Sequence, residues 1–237
     1  MIEKIVRNKR FGEVLEIKEW IKPNTYMVQE ISNILGLYYD DRPISERVWA
    51  AWRHVVKNVD YPLLFGIIPI DAHFVTDYAY KSRSNAFDFW YYPEETISDG
   101  TGDCEDAGFL IASLLRAFLS EFNALAVIGK VLDANGKLLG YHAWAEAQFT
   151  VTQDGKTNWY VLEGTLDKMP EDWIKREDAY ASGQEFWYSP MIYFNDVTLE
   201  IFEDFDTSKR HKKFIHPDVA KKLGILNKIK NLLRKEK

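Results

Sequence analysis

The period of the apolar residues changes once near the middle of the chain, and this change restricts the fold more than any other feature. From Ala107 the apolar positions recur at helical spacing: Ala107, Leu110, Ile111, Leu114, Leu115 and Phe118. That spacing predicts a core helix of about four turns. Directly afterwards the period falls to two. ALAVIGKVL reads as a buried strand, LLGYHAWAEAQFTV as a long alternating strand, and NWYVLE as a third strand ending at Glu163. Turn residues at 133–136 and 153–155 separate them. A helix followed by antiparallel strands defines an α+β domain and excludes an alternating parallel sheet.

The flanking segments are expected to dress this core. Residues 24–35 read as a short helix stopped by Gly36, a residue suited to a left-handed terminal position. Ser45 is placed to cap a second helix, SERVWAAWRHVVKNV, whose stripe runs through Val48, Trp49, Trp52, Val55, Val56 and Val59. Tyr61-Pro62 ends it. Pro62, Pro69 and the polar stretch 81–85 give residues 61–86 the look of a loop. Residues 168–190 read as helix and loop, and 191–205 as one or two further strands. Pro217 is suited to the first position of a last helix with apolar residues at Val219, Leu223, Leu226, Ile229 and Leu233. The chain therefore divides into an N-terminal helical part of the same domain (1–84), a core (85–205) and a basic C-terminal helical tail (206–237).

Charge is distributed unevenly. Residues 209–237 hold eleven Lys/Arg against two Asp/Glu, a net +9 that leaves −15 for residues 1–208 in a chain of net −6. A basic tail on an acidic body can contact an acidic partner or a membrane surface; its apolar spacing also suits folding back onto the body. No apolar run reaches the roughly 18 residues of a membrane span, and the charged N-terminus lacks a signal-peptide core. The lone Cys cannot form an internal disulfide, so a cytoplasmic setting is expected. Eight Trp and thirteen Tyr predict a well-filled core and an aromatic-lined cleft.

The candidate chemistry gathers around that single sulfur. Asp103 is a good N-cap with Asp106 three residues on, which puts Cys104 in the first helical turn. There the positive end of the helix favours a thiolate, and unbonded backbone N–H groups can hold an oxyanion. In GYHAWAEA, alternation sets His142, Trp144 and Glu146 on one face and Ala143, Ala145 and Ala147 on the other. The alanine face lets a helix approach closely, and Trp144 would shield the imidazole from water. Glu163 closes the neighbouring strand, where a carboxylate can accept the second imidazole N–H and fix its tautomer.

These residues carry a resemblance. Trp90-Tyr91-Tyr92-Pro93-Glu94-Glu95-Thr96 with Gly102-Asp103-Cys104-Glu105-Asp106 resembles the cysteine motif of the transglutaminase-like superfamily, in particular its bacterial and archaeal branch of transglutaminase-like cysteine proteases. Tyr141-His142-Ala143-Trp144-Ala145-Glu146 resembles its histidine motif, and Trp159-Tyr160-Val161-Leu162-Glu163-Gly164-Thr165 its third motif. The resemblance covers roughly residues 85–168. It implies a papain-related core, a nucleophile-bearing helix on an antiparallel sheet, and acyl-enzyme chemistry from a Cys-His-acid triad. The family's usual Asp is replaced by Glu163; Asp167 is the less suited substitute. Trp90, Asp103 and Trp144 are the candidates for shaping the cleft or supporting the oxyanion.

The expected function is therefore cysteine-dependent acyl transfer on peptide or amide bonds, hydrolytic rather than crosslinking, with a peptide or protein substrate. The alternative is a catalytically silent module of the same fold serving binding or assembly. No cofactor is expected. The acidic residues Asp99, Asp103, Glu105 and Asp106 match no trusted calcium loop, and one thiol without paired histidines makes a poor zinc site. No phosphate loop and no nucleic-acid module is present.

Overall fold

Six strands form the main sheet: β5 (Ala124–Asp133), β6 (Leu138–Thr150), β7 (Thr157–Leu162), β8 (Ile174–Lys175), β9 (Phe186–Phe194) and β10 (Leu199–Ile201). Their order is β10-β9-β5-β6-β7-β8, with every neighbouring pair antiparallel. Two short hairpins precede them, β1 (Val6–Lys9) with β2 (Glu13–Glu16) and β3 (Leu63–Leu64) with β4 (Ile68–Pro69). The helices are α1 (Tyr26–Ile34), α2 (Ile44–Asn58), α3 (Pro93–Asp99), α4 (Cys104–Arg116) and α5 (Arg176–Ala179), besides a 3-10 turn at Ile17–Trp20. This computed structural model describes residues 6–9, 13–61, 63–64, 68–69, 90–151, 155–203, 214 and 217. The polar loop expected at 81–85, the tip of the turn expected at 153–155 and the last helix beyond Pro217 lie outside the described residues.

The arrangement is the α+β one that the change of period dictates. Ala124, Ala126 and Ile128 of β5 pair with Ala147, Ala145 and Ala143 of β6. Their small side chains make a shallow face, and α4 lies on it. A methyl group at Gly108 of α4 would stand 3.3 Å from the Trp144 backbone, so helix and strand nearly touch. From the other side α1 and α2 cover the same helix, joined through Val28, Val48, Trp52, Phe109 and Leu110 in one core with the 3-10 turn's Ile17 and Trp20. Residues 104–115 are consequently all buried, Glu105, Asp106 and Ser113 included. The sequence suggests a one-sided stripe; a helix between two layers has no solvent side.

The opposite face of the sheet is also covered. Val127, Trp144, Val161, Tyr188 and Phe214 form a second, smaller core. Phe214 is the described anchor of the tail: its N–H donates to the Tyr141 carbonyl at 2.7 Å and its ring is buried.

Three local expectations are corrected. Helix α2 begins at Ile44 with Pro43 in the cap position, because the Pro43 carbonyl accepts from both Glu46 and Arg47; Ser45 falls in the first turn. Residues 63–64 and 68–69, expected as loop, pair as a small hairpin. Helix α3 is unforeseen, although its signals stand in the sequence. Pro93 opens it, Glu94 and Glu95 fill the first turn, and Gly100 at φ +63° closes it. Glu95 accepts from the Tyr92 N–H at 2.9 Å.

Candidate active site

The start of α4 is tied down by carboxylates. Asp103 caps it, its side chain accepting from the Glu105 N–H at 3.3 Å, and Asp106 Oδ2 accepts in return from the Asp103 N–H at 3.1 Å. Asp106 Oδ1 also takes the Tyr91 N–H at 2.7 Å, fastening the incoming segment to the helix. Caps of this kind contribute roughly 1 kcal/mol each. Cys104 holds the first helical position, at 1% exposure.

The third motif reaches the same helix through a glycine. A Cβ at Gly164 would stand 2.7 Å from the Ala107 Cβ, so only a residue without a side chain lets the chain cross the first turn of α4 there. The crossing sets Glu163 at the end of β7. Pairing of β7 with β6 stops at Leu162 opposite Ala145, so His142 lies beyond the paired stretch. Across β5, His142 faces Gly129. A Cβ on Gly129 would meet the Trp144 ring at 2.6 Å; the glycine makes room for the indole.

The Glu163 carboxylate receives four donors. Oε2 lies 2.6 Å from His142 Nε2 and accepts from the Tyr188 hydroxyl at 3.0 Å. Oε1 accepts from the Thr165 N–H at 2.8 Å and the Thr165 hydroxyl at 2.7 Å. Its backbone carbonyl takes the Trp52 indole N–H at 2.8 Å. An ionised carboxylate can only accept, so the neutral imidazole carries its hydrogen on Nε2 and leaves the lone pair on Nδ1. His142 Nδ1 is buried with no hydrogen-bond partner among the described residues. The ring lies between Trp144 (6.3 Å, 22°), Tyr188 (6.0 Å) and, edge-on, Phe214 (5.5 Å, 83°).

Tyr188 links the groups. Burial first, then the charge and hydrogen bond of Glu163, and then the Cys104 sulfur hold its hydroxyl well above the usual phenol range. The thiol itself donates to Glu105 Oε2 at 2.8 Å, and Glu105 Oε1 accepts from the Trp90 indole at 3.3 Å. Ionising a sulfur against a carboxylate would set two negative charges side by side, so this contact favours the S–H form.

The sequence-expected residues thus take distinct places. Trp90 directs its indole N–H to Glu105 and packs edge-on to Trp20 and Phe109, in the core beneath the helix start. Asp103 is a cap. Trp144 is fully buried under His142, its N–H donated to Glu146 Oε1 at 2.9 Å. Glu146 in turn meets Tyr180 and Arg176, and Arg176 lies over the Trp159 ring at 3.9 Å. Burial pushes Glu146 above the usual carboxylate range, against the downward pull of Arg176, Tyr180 and Trp144.

Sequence reasoning overlooks Glu105 as the thiol's partner and Thr165 as the partner of Glu163, although both lie inside the quoted motifs. Tyr188 and Phe214 carry no local signal. As for metals, Asp103, Cys104 and Glu105 each bring a ligand-type atom within 4.8 Å of the other two. Capping and the thiol hydrogen bond account for these side chains.

No protein-family model matches the chain, and no curated protein matches it. Among solved structures it is similar to Legionella pneumophila LapG, at TM-score 0.36 and 16% identity over 74% of this chain and 87% of that one. The EGTA-treated form of LapG gives 0.36 and 16% over 75% and 86%, and the calcium-bound form 0.35 and 17% over 81% and 96%.

Proposed function

We propose that the chain is a cysteine-dependent acyl-transfer enzyme that hydrolyses peptide or amide bonds through Cys104, His142 and Glu163. One observation carries the reading: Glu163 claims Nε2 of His142 and leaves Nδ1 as a buried acceptor with no partner among the described residues. Cys104 gives its proton to Nδ1, and the sulfur attacks the substrate carbonyl carbon. The resulting oxyanion is held at the first turn of α4, where the helix offers the Cys104 N–H no carbonyl of its own. The imidazolium then protonates the departing amine as the C–N bond breaks. Water, deprotonated by His142, releases the acyl group and restores the thiol. The preference for water over an amine follows the branch that the motifs resemble.

All three groups are at most 3% exposed, so this geometry is a resting form. Substrate entry requires movement of a covering group such as Phe214, and attack requires release of the thiol from Glu105. Two variants and two readouts test the reading. Iodoacetamide labelling of Cys104 at pH 6 should slow by about 100-fold in His142→Ala, which loses the thiolate's partner. In Glu163→Gln, amine release from a casein-peptide mixture should fall by a factor on the order of 10³, because the tautomer is no longer fixed. Labelling rates equal to wild type in His142→Ala would exclude the proposal.

The burial of the site and the Glu105-bonded thiol also suit a second reading, a catalytically silent module. It predicts no amine release at all, with partner capture unchanged by Cys104→Ala.

A further inference from the structure

A cleft of about 690 Å³ runs along the outer side of α2, away from the sulfur. Its floor is aromatic. Trp49 and Trp173 meet edge to face with centroids 4.9 Å apart, and both remain half-buried. Its rim on α2 is cationic. Arg53 and Lys57 are exposed and make no ion pair among the described residues. Arg42, also on the rim, is occupied by the Leu35 carbonyl at 2.7 Å and by Glu46 at 3.9 Å. Burial lowers the pKa of His54, so this imidazole adds no charge near neutrality. Arg42, Arg53 and Lys57 give the cleft three cations against the carboxylates of Glu46 and Glu171, a local net of +1 on a body of net −15.

We infer that this cleft binds an extended acidic peptide with the pattern apolar-x-acid-x-acid. The spacing selects the pattern. Trp49, Arg53 and Lys57 lie four residues apart on one side of α2, which places them about 6 Å apart along its axis. In an extended peptide, alternate side chains on one face recur about every 6.6 Å. An apolar side chain on Trp49 and Trp173 therefore puts the next two same-face carboxylates beside Arg53 and Lys57. The volume accepts several side chains and exceeds what a single carboxylate needs. Glu46 and Glu171 line the same cleft; Glu46 is paired with Arg42, and both carboxylates can accept the N–H groups of a peptide backbone. The binding claim is independent of the acyl-transfer reading. A connection exists all the same, since Trp173 stacks on Trp52 at 5.9 Å and Trp52 bonds the Glu163 carbonyl.

The test is calorimetric titration of the full chain, and of its Cys104→Ala variant, with acetyl-Phe-Ser-Glu-Ser-Glu-amide. Comparators are the peptide with both Glu replaced by Lys and a ten-nucleotide single-stranded DNA. The acidic peptide should bind both proteins alike, more weakly as salt rises. Charge reversal at the exposed pair, Arg53→Glu with Lys57→Glu, should weaken binding by about tenfold or more without altering the circular dichroism. Equal binding of the lysine peptide, tighter binding of the oligonucleotide, no binding at millimolar peptide, or an unchanged affinity in the reversed variant would each overturn the inference. Failure of the amine-release assay alongside intact peptide binding would remove the proposed enzyme and leave the cleft standing.

Discussion

Glu105 is the residue whose chemistry most sharply opposes that of its neighbours. The helix terminus and the proposed proton acceptor His142 would favour a thiolate at Cys104, whereas Glu105 Oε2, 2.8 Å from the sulfur, favours the thiol. The indole of Trp90 keeps Glu105 in this position. Replacing the carboxylate by an amide removes the negative charge and preserves the shape. Glu105→Gln should therefore speed iodoacetamide labelling of Cys104 at pH 6 by about tenfold, with the rate-pH midpoint displaced downward. A slower or unchanged rate would show that the thiol contact does not restrain ionisation. The sequence exhibits Glu105 beside Cys104 but not which way its carboxylate turns. That depends on Trp90, fourteen residues earlier than the sulfur and brought there by the fold.

At the scale of elements, β6 does the organising. Its alternation sends Ala143, Ala145 and Ala147 towards α4, and His142, Trp144 and Glu146 to the other side, as the sequence pattern predicts. What the pattern leaves open is how a strand can bury a carboxylate. The answer lies in α5, which supplies Arg176 and is followed by its C-cap Tyr180, both in contact with Glu146. Arg176→Ala would strand this charge. Removing one partner of a buried pair costs about 3–5 kcal/mol, and the pH dependence has a definite sign. Glu146 has a folded-state pKa above the ordinary 4.5; its contribution to stability is present below that value and is lost as pH rises through the folded one. Without Arg176 the folded pKa climbs further, so the variant's deficit should widen from pH 4 to pH 7. Urea unfolding at the two pH values measures it, and equal deficits would mean that Glu146 is not the group responsible.

The whole molecule is a sheet covered on both faces, and the outer cover is rich in tyrosine. Burial is the first cause that raises Tyr180, Tyr188 and Tyr193, with Tyr193 pushed up to about 12. Carboxylates reinforce it, Glu146 at Tyr180 and Tyr193 and Glu163 at Tyr188. Between the unfolded value of 10 and these raised values the folded chain holds more protons than the unfolded one, so stability falls as pH rises above 10. Absorbance of tyrosinate at 295 nm should therefore rise for these three together with the loss of near-ultraviolet circular dichroism. Their smooth titration in a chain that stays folded would contradict the buried network. Much of this architecture was readable beforehand. The change from period 3.6 to period 2 determined a helix followed by antiparallel strands, because each period commits one face of an element to burial. Capping chemistry placed Cys104 at a helix start, because a carboxylate three residues from an N-cap satisfies donors that no helix can satisfy itself. Those are local causes, fully contained in neighbouring residues. Tyr188 against Glu163, Phe214 against His142, the Arg176 that neutralises Glu146 and the aromatic cleft along α2 were decided by the tertiary structure alone. Each joins groups from separate elements, and strand order, register and layer packing, which no short stretch of chain encodes, set which of them meet.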